Sequence, residues 1–209
     1  MGFSEGSQSV SSIEEIYYED AQFNINYAMQ RGNSFDIAAG YKFSDSVGVE
    51  LGVDICSRSI NAGYNASIPH PLIFDYLRYA EDTGSYTLKE NAVYLNFVYS
   101  IAFGKFGFDI IGGPVYFLAS TELINEIQFS ESYPYESIGM SAVITEVDKS
   151  IFGFNAGAGL NFYFIQNFGI YITACYLSGS ADLDTGTEIP GITLSLGGFK
   201  ARAGLKILF

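Results

Sequence analysis

Tryptophan is absent from the 209 residues, and there are only two cysteines and one histidine. Cys56 and Cys175 form no CxxC spacing and are too few for a disulfide framework. A lone His70 excludes a multi-histidine metal site. Basic residues are scarce: ten Lys and Arg stand against 23 acids, for a net charge of −13. A nucleic-acid surface is therefore excluded as the default. Charged residues make up 16% of the chain, where about a quarter is usual for a soluble domain. No apolar run approaches the ~18–20 residues that a membrane helix needs, because apolar residues are interrupted at almost every second position. No basic and then apolar leader precedes the first periodic segment. The expectation is a mature sequence with Met1 as a replacement start, its signal peptide removed.

What is present is apolar and aromatic. Hydrophobic residues reach 48%, with 16 Tyr, 18 Phe and 23 Gly, which excludes disorder for most of the chain. The dominant signal is alternation with period two. It runs through residues 23–30, 35–43, 47–55, 93–103, 106–111, 152–164, 168–176 and 199–209. Tight turns of hairpin length follow at Ser44-Asp45-Ser46, Gly104-Lys105 and Ile165-Gln166-Asn167. A further short hairpin is expected around Arg31-Gly32-Asn33-Ser34. Long connections occupy 57–90, 119–149 and 178–195.

A soluble antiparallel sandwich also alternates. Two features favour a membrane barrel instead. The polar face is rich in Gly, Ala and Ser, which suits a crowded small-barrel interior. The large aromatics cluster beside the tight turns, as Tyr41, Phe43, Phe103, Phe106, Phe164, Phe168 and Phe209, in the manner of an interfacial girdle. Phe35, Tyr116, Phe152, Tyr176 and Phe199 supply a second ring. A sheet crosses hydrocarbon only by satisfying its own backbone groups. The expected fold is therefore all-β: an eight-stranded antiparallel up-and-down transmembrane β-barrel over residues 21–209, with a flexible tail at 1–20. Pro114 cannot donate to a ladder, so regular pairing is expected to break there.

Two segments carry a family resemblance. Residues 199–209, FKARAGLKILF, alternate and end on Phe209, which resembles the terminal-Phe signal read by the barrel-insertion machinery through Leu205, Ile207 and Phe209. Residues 35–54, FDIAAGYKFSDSVGVELGVD, resemble the hairpin of the small eight-stranded outer-membrane barrels of Gram-negative bacteria, the OmpA/OmpX/OmpW-like class. The resemblance implies an outer-membrane location, periplasmic termini and long loops at the cell surface. It also implies membrane lipids and lipopolysaccharide as surroundings. It transfers no catalytic residue, and enzymatic activity is not expected. The function expected is a structural or surface-interaction, adhesion-like role. The alternatives are a narrow channel for small or apolar solutes and, third, a lipid-modifying enzyme.

The inward positions Asp36, Lys42, Glu50, Asp54, Asp109, Lys200, Arg202 and Lys206 balance in charge. They read as a paired network that plugs the barrel, or alternatively as a gate along a polar path. No cofactor or metal is called for, and a monomer is expected. Acids concentrate in the tail and the long connections, where a solvated surface is the plain reading and divalent-cation bridging the sharper one. Asp182-Leu183-Asp184-Thr185-Gly186-Thr187-Glu188 lacks the distal Glu of a calcium loop. Residues 71–82 have helical periodicity, and 121–127 suggest a second short helix. His70 lies near Ser67 and acids, but an isolated loop histidine is more often incidental to catalysis. Cys56 and Cys175 are expected as free thiols. The connections 57–90 and 119–149 are too apolar to be left in water. They are expected to order as an outer cap, built from the helix and from strand extensions in 128–147, that covers or narrows the mouth, its apolar side chains lining either a binding pocket or the cap's own small core. Any extracellular partner is expected to bind through 57–90 and 119–149.

Overall fold

The computed structural model describes residues 6–165, 167–183 and 192–207. Within them the chain forms an antiparallel, up-and-down sheet of nine strands. These are β1 (Gly6–Ile16), β2 (Glu19–Met29), β3 (Asn33–Lys42), β4 (Val47–Pro69), β5 (Leu77–Phe103), β6 (Phe106–Glu131), β7 (Ile138–Ile165), β8 (Phe168–Leu183) and β9 (Ile192–Ile207). The hydrogen-bonded path runs β1-β2-β4-β5-β6-β7-β8-β9, with β3 paired to β4 beside it.

The strand count and the closure both depart from the expected barrel. Residues 6–16, expected as a tail, form β1 against β2 through a two-residue turn at Tyr17 and Tyr18. The hairpin expected at Arg31–Ser34 does not form. Instead β2 and β3 run head to tail along one edge of β4, with Met29 opposite Ile60 and Asn33 opposite Ser57. None of residues 31–34 takes a positive φ, which the favoured tight hairpin turns require, so the chain continues straight. Gly32 makes the passage possible, because a Cβ there would stand 2.7 Å from the Ser57 carbonyl oxygen. Among the described residues no ladder joins β9 to β1 or β3, so the sheet is not closed. Its two ends meet through side chains: Gln8 Nε2 donates to Thr193 O at 2.5 Å, and Arg202 Nη1 lies 3.5 Å from Asp36 Oδ2.

The long connections are largely strand. Residues 71–76 form a turn, and β5 begins at Leu77; residues 121–127 lie inside β6. Neither expected helix is present. Each segment finds a neighbouring strand to pair with, Pro69 opposite Leu77 and Thr121 opposite Val147, and tertiary pairing overrides weak helical periodicity. The β5–β6 ladder skips Gly113 and Pro114, as a residue without an N–H requires.

Towards the long connections the strands separate into groups. The β5–β6 ladder ends at Leu88–Thr121, and the β7–β8 ladder ends at Phe154–Ser178. Above those points β1, β2, β4 and β5 form a four-stranded sheet, while β6–β7 and β8–β9 stand as hairpins. Ile60, Leu88, Phe117, Ile124, Leu177 and Leu194 pack between the three groups, each 1% exposed or less except Leu194 at 2%. Burying each such side chain contributes about 1.5–3 kcal/mol.

The alternation keeps its phase along whole strands while the chemistry of the two faces exchanges. In the half nearest the tight turns, β4 points Val47, Leu51 and Ile55 outward, 45–57% exposed, and Glu50 and Asp54 inward. Beyond Cys56 the same strand buries Ile60, Ala62, Tyr64, Ala66 and Ile68 and exposes Ser57, Ser59, Asn61 and Asn65. Strand β8 switches between Tyr176 and Leu177, and β9 switches between Leu196 and Phe199. The lower half is thus apolar outside and polar inside, and the upper half is the reverse. The outward apolar positions of β5 run from Val93 to Phe103. At ~3.3 Å per residue and a tilt near 40° they span roughly 25 Å.

Candidate functional site

The inward charges of the lower half stack as a column. Nearest the tight turns, Lys206 Nζ lies 2.8 Å from Asp109 Oδ2 and donates to Asn161 Oδ1 at 3.2 Å. Ser100 Oγ and Asn161 Nδ2 donate to the same carboxylate at 2.7 and 2.8 Å. One level up, Arg202 bridges Asp36 and, at 3.1 Å, Asp54. The Tyr94 hydroxyl donates to Asp36 at 2.8 Å, and the Arg202 guanidinium lies 5.0 Å from the centre of the Tyr94 ring. That ring lies over Gly52, where a Cβ would come within 2.3 Å of it. At the top, Lys200 Nζ lies 2.7 Å from Asp54 Oδ1 and 3.6 Å from Glu90 Oε1. Glu90 also pairs with Arg58 and accepts the Gly197 N–H at 3.1 Å.

Six of the eight expected network residues therefore make ion pairs. Glu50 is held by Asn96 Nδ2 at 3.1 Å, and Lys42 makes no ion pair among the described residues. Arg58 and Glu90 were missed because the segment 57–90 reads as a connection. Unbroken alternation through Asp54, Cys56 and Arg58 was the available signal. Above Glu90 the interior turns to hydrocarbon, so the column ends beneath a packed apolar core. Cys56 and Cys175 are both buried free thiols. Of the expected terminal signal, Leu205 and Ile207 point outward, 67% and 56% exposed. Phe209 and residues 184–188 of the calcium-like segment lie outside the described residues, and Asp182 accepts the Thr193 hydroxyl at 2.8 Å.

A second constellation occupies the opposite end of the molecule. Arg78 donates to Glu131 at 2.5 Å, to the Tyr135 carbonyl at 3.0 Å and to the Pro69 carbonyl at 2.6 Å. Tyr17 donates to the same Glu131, and the Asp75 N–H donates to Glu19 at 3.2 Å. These bonds fasten three turns, 17–18, 70–76 and 132–137, into one apex. Burial would raise the Glu131 carboxyl, but the Tyr17 and Arg78 hydrogen bonds outweigh it and hold it below the ordinary range. His70 is 4% exposed and accepts the Leu72 N–H on Nδ1 at 3.1 Å. It packs edge-on against Tyr76 and Tyr135, which is a structural role within the turn.

No family model, curated protein or solved structure matches this chain.

The apex is unusual in two respects. Tyr18, Leu72, Ile73, Phe74, Tyr79 and Tyr133 are 52–89% exposed there. Tyr17, Tyr18, Asp75 and Tyr135, the non-glycine residues with positive φ among those described, all lie in or beside its turns. Left-handed backbone costs about 1–2 kcal/mol per residue, and such conformations concentrate where function demands a shape. Below the apex, Tyr27 is fixed by the Ile124 N–H at 3.2 Å; burial pushes its phenol up to about 12 although that bond works the other way. A cleft of about 560 Å³ opens between β1, β2 and residues 125–129 of β6. A smaller cavity of about 280 Å³ lies at the tight-turn end, against the ionic column. Among the described residues no cluster of three or more His, Cys, Asp or Glu is placed to hold a metal ion.

Proposed function

We propose that this chain is an integral outer-membrane β-barrel whose lower half spans the bilayer and whose upper half displays an interaction surface at the apex. The carrying observation is the exchange of polarity at Cys56, Tyr176 and Phe199. An apolar exterior around a paired ionic interior is the arrangement a membrane barrel needs, whereas the half above is built as a water-soluble sheet would be. The belt height of roughly 25 Å agrees with a bilayer's apolar band. Tyr41, Phe43, Phe103 and Phe106 rim it on one side, and Phe35, Phe152, Tyr176 and Phe199 rim it on the other, all at least 46% exposed. Among the described residues no helix is long and apolar enough to cross a membrane.

The interaction role rests on the apex. Rigid, exposed Tyr and Phe on stapled turns supply contact area at low entropic cost, and contiguous exposed apolar groups mark interaction surfaces. The ionic column and the apolar core above it serve as a plug that supports this surface.

Paired outward substitutions test the reading. Leu51→Arg places a cation in the belt and is expected to cost about 2–4 kcal/mol of folding in bilayers. Ser59→Arg, on the outward face of the same strand above the exchange, is expected to stay within about 0.5 kcal/mol of wild type. Equal effects on vesicle insertion would remove the membrane assignment. Steady single-channel steps in planar bilayers would overturn the plug.

A further inference from the structure

The cavity at the tight-turn end has walls of two kinds. Lys42 and Glu50 reach it from inward positions, yet Ile37, Tyr41, Leu205 and Ile207, which point outward into the apolar belt, line it too. Residues of both faces meet there at the open edges of β3 and β9, between which no ladder is formed among the described residues. The inside and the belt therefore communicate through a lateral seam.

The charges at this seam are selective. Three acids, Asp36, Glu50 and Asp109, face three bases, Lys42, Arg202 and Lys206, so the lining is neutral. Arg202 and Lys206 are already engaged with Asp36, Asp54 and Asp109. What remains outside the ion pairs among the described residues is one cation, Lys42, and one anion, Glu50, which accepts a hydrogen bond from the Asn96 amide. In the β3–β4 register Glu50 stands opposite Gly40, and Lys42 is the next inward position. Diagonal neighbours of this kind are separated by roughly 7–8 Å, far enough for a group carrying both charges to sit between them. The volume, about 280 Å³, is near the lower bound for ligand cavities, ~300 Å³. Strand edges at this depth also require polar partners, since hydrocarbon offers none.

We propose that the β3–β9 seam binds a zwitterionic phospholipid. Its ammonium group lies against Glu50, its phosphate against Lys42, and its acyl chains over Ile37, Tyr41, Leu205 and Ile207. The site lies beside the Ser44–Ser46 turn, at the rim of the belt, where a headgroup would stand. This rests on the membrane reading above.

The test uses the full chain folded in detergent with equal amounts of phosphatidylethanolamine and phosphatidylglycerol, read by native mass spectrometry. Wild type is expected to retain phosphatidylethanolamine preferentially. Lys42→Glu should lower that retention at least about tenfold, equivalent to about 1.4 kcal/mol. Lys105→Glu, an identical charge change on the neighbouring turn, should leave it unaltered, and Lys42→Glu combined with Glu50→Lys should restore it. Separately, a photoactivatable phosphatidylethanolamine should label β3 and β9 of the wild-type protein. No retention, no preference between the lipids, equal loss in both single variants, or labels spread evenly round the belt would each overturn the site. If Lys42→Glu does not fold, the wild-type label map decides. Wild type that fails to insert into vesicles refutes the membrane reading itself; wild type that inserts but shows no preference refutes the lipid site alone.

Discussion

Glu90→Gln is the sharpest perturbation of the ionic column. Glu90 is fully buried and faces Arg58 and Lys200, whose side chains are 3% and 1% exposed, together with the Gly197 N–H. Glutamine preserves the shape and keeps a carbonyl for Gly197, but it removes the anion that Arg58 and Lys200 share. Asp54 still holds Lys200 at 2.7 Å, so Arg58 is the cation left without a counter-charge. Breaking a buried pair from one side costs about 3–5 kcal/mol. That is a factor of roughly 200 to 5,000 in the folding equilibrium, and a large share of the ~5–15 kcal/mol total typical of native proteins. The double replacement Arg58→Met with Glu90→Leu removes both charges, leaves the column balanced, and is expected to fall within about 1 kcal/mol of wild type or above it. Urea unfolding in vesicles, followed by circular dichroism because the chain has no tryptophan, measures both. A cost under about 1 kcal/mol for Glu90→Gln, or a double variant as unstable as the single, would refute the view that these charges act as mutual partners.

Two predictions concern the apex. Tyr18 is 89% exposed at φ 66°, and asparagine tolerates that backbone, so Tyr18→Asn should stabilise the β1–β2 hairpin by about 0.5–1 kcal/mol, seen as slower hydrogen exchange in residues 6–29. Glu131 titrates below its unfolded value, so its contribution is complete above the ordinary glutamate range, about 4.3, and is lost as pH falls through the lower folded value. Protease cutting at 70–76 and 132–137 should therefore rise in acid, and Glu131→Gln should cut readily at neutral pH with that pH dependence reduced.

The sequence by itself determined the all-β class, the tight turns at 44–46, 104–105 and 165–167 though not the one at 17–18, and which residues face which way in the lower half. Strict alternation does this physically, because successive side chains of a strand point to opposite faces. It therefore also revealed Asp36, Asp54, Asp109, Lys200, Arg202 and Lys206 as inward charges. Alternation says nothing about which strand pairs with which, so the head-to-tail run of β2 and β3 along β4 was not legible. Strand β1 was hidden twice over. Its Ser- and Glu-rich faces carry little contrast, and its turn is Tyr17-Tyr18 rather than the Gly, Asn or Asp that usually marks such a reversal. The upper strands read as loops because their chemistry exchanges faces at constant phase, so an inward Arg58 or Glu90 looks like loop polarity. Only tertiary structure decided the partners of those charges, the stapling of three distant turns by Arg78 and Glu131, and the seam between β3 and β9. Each depends on residues far apart in the chain brought together by strand pairing, and a local pattern carries no record of that register.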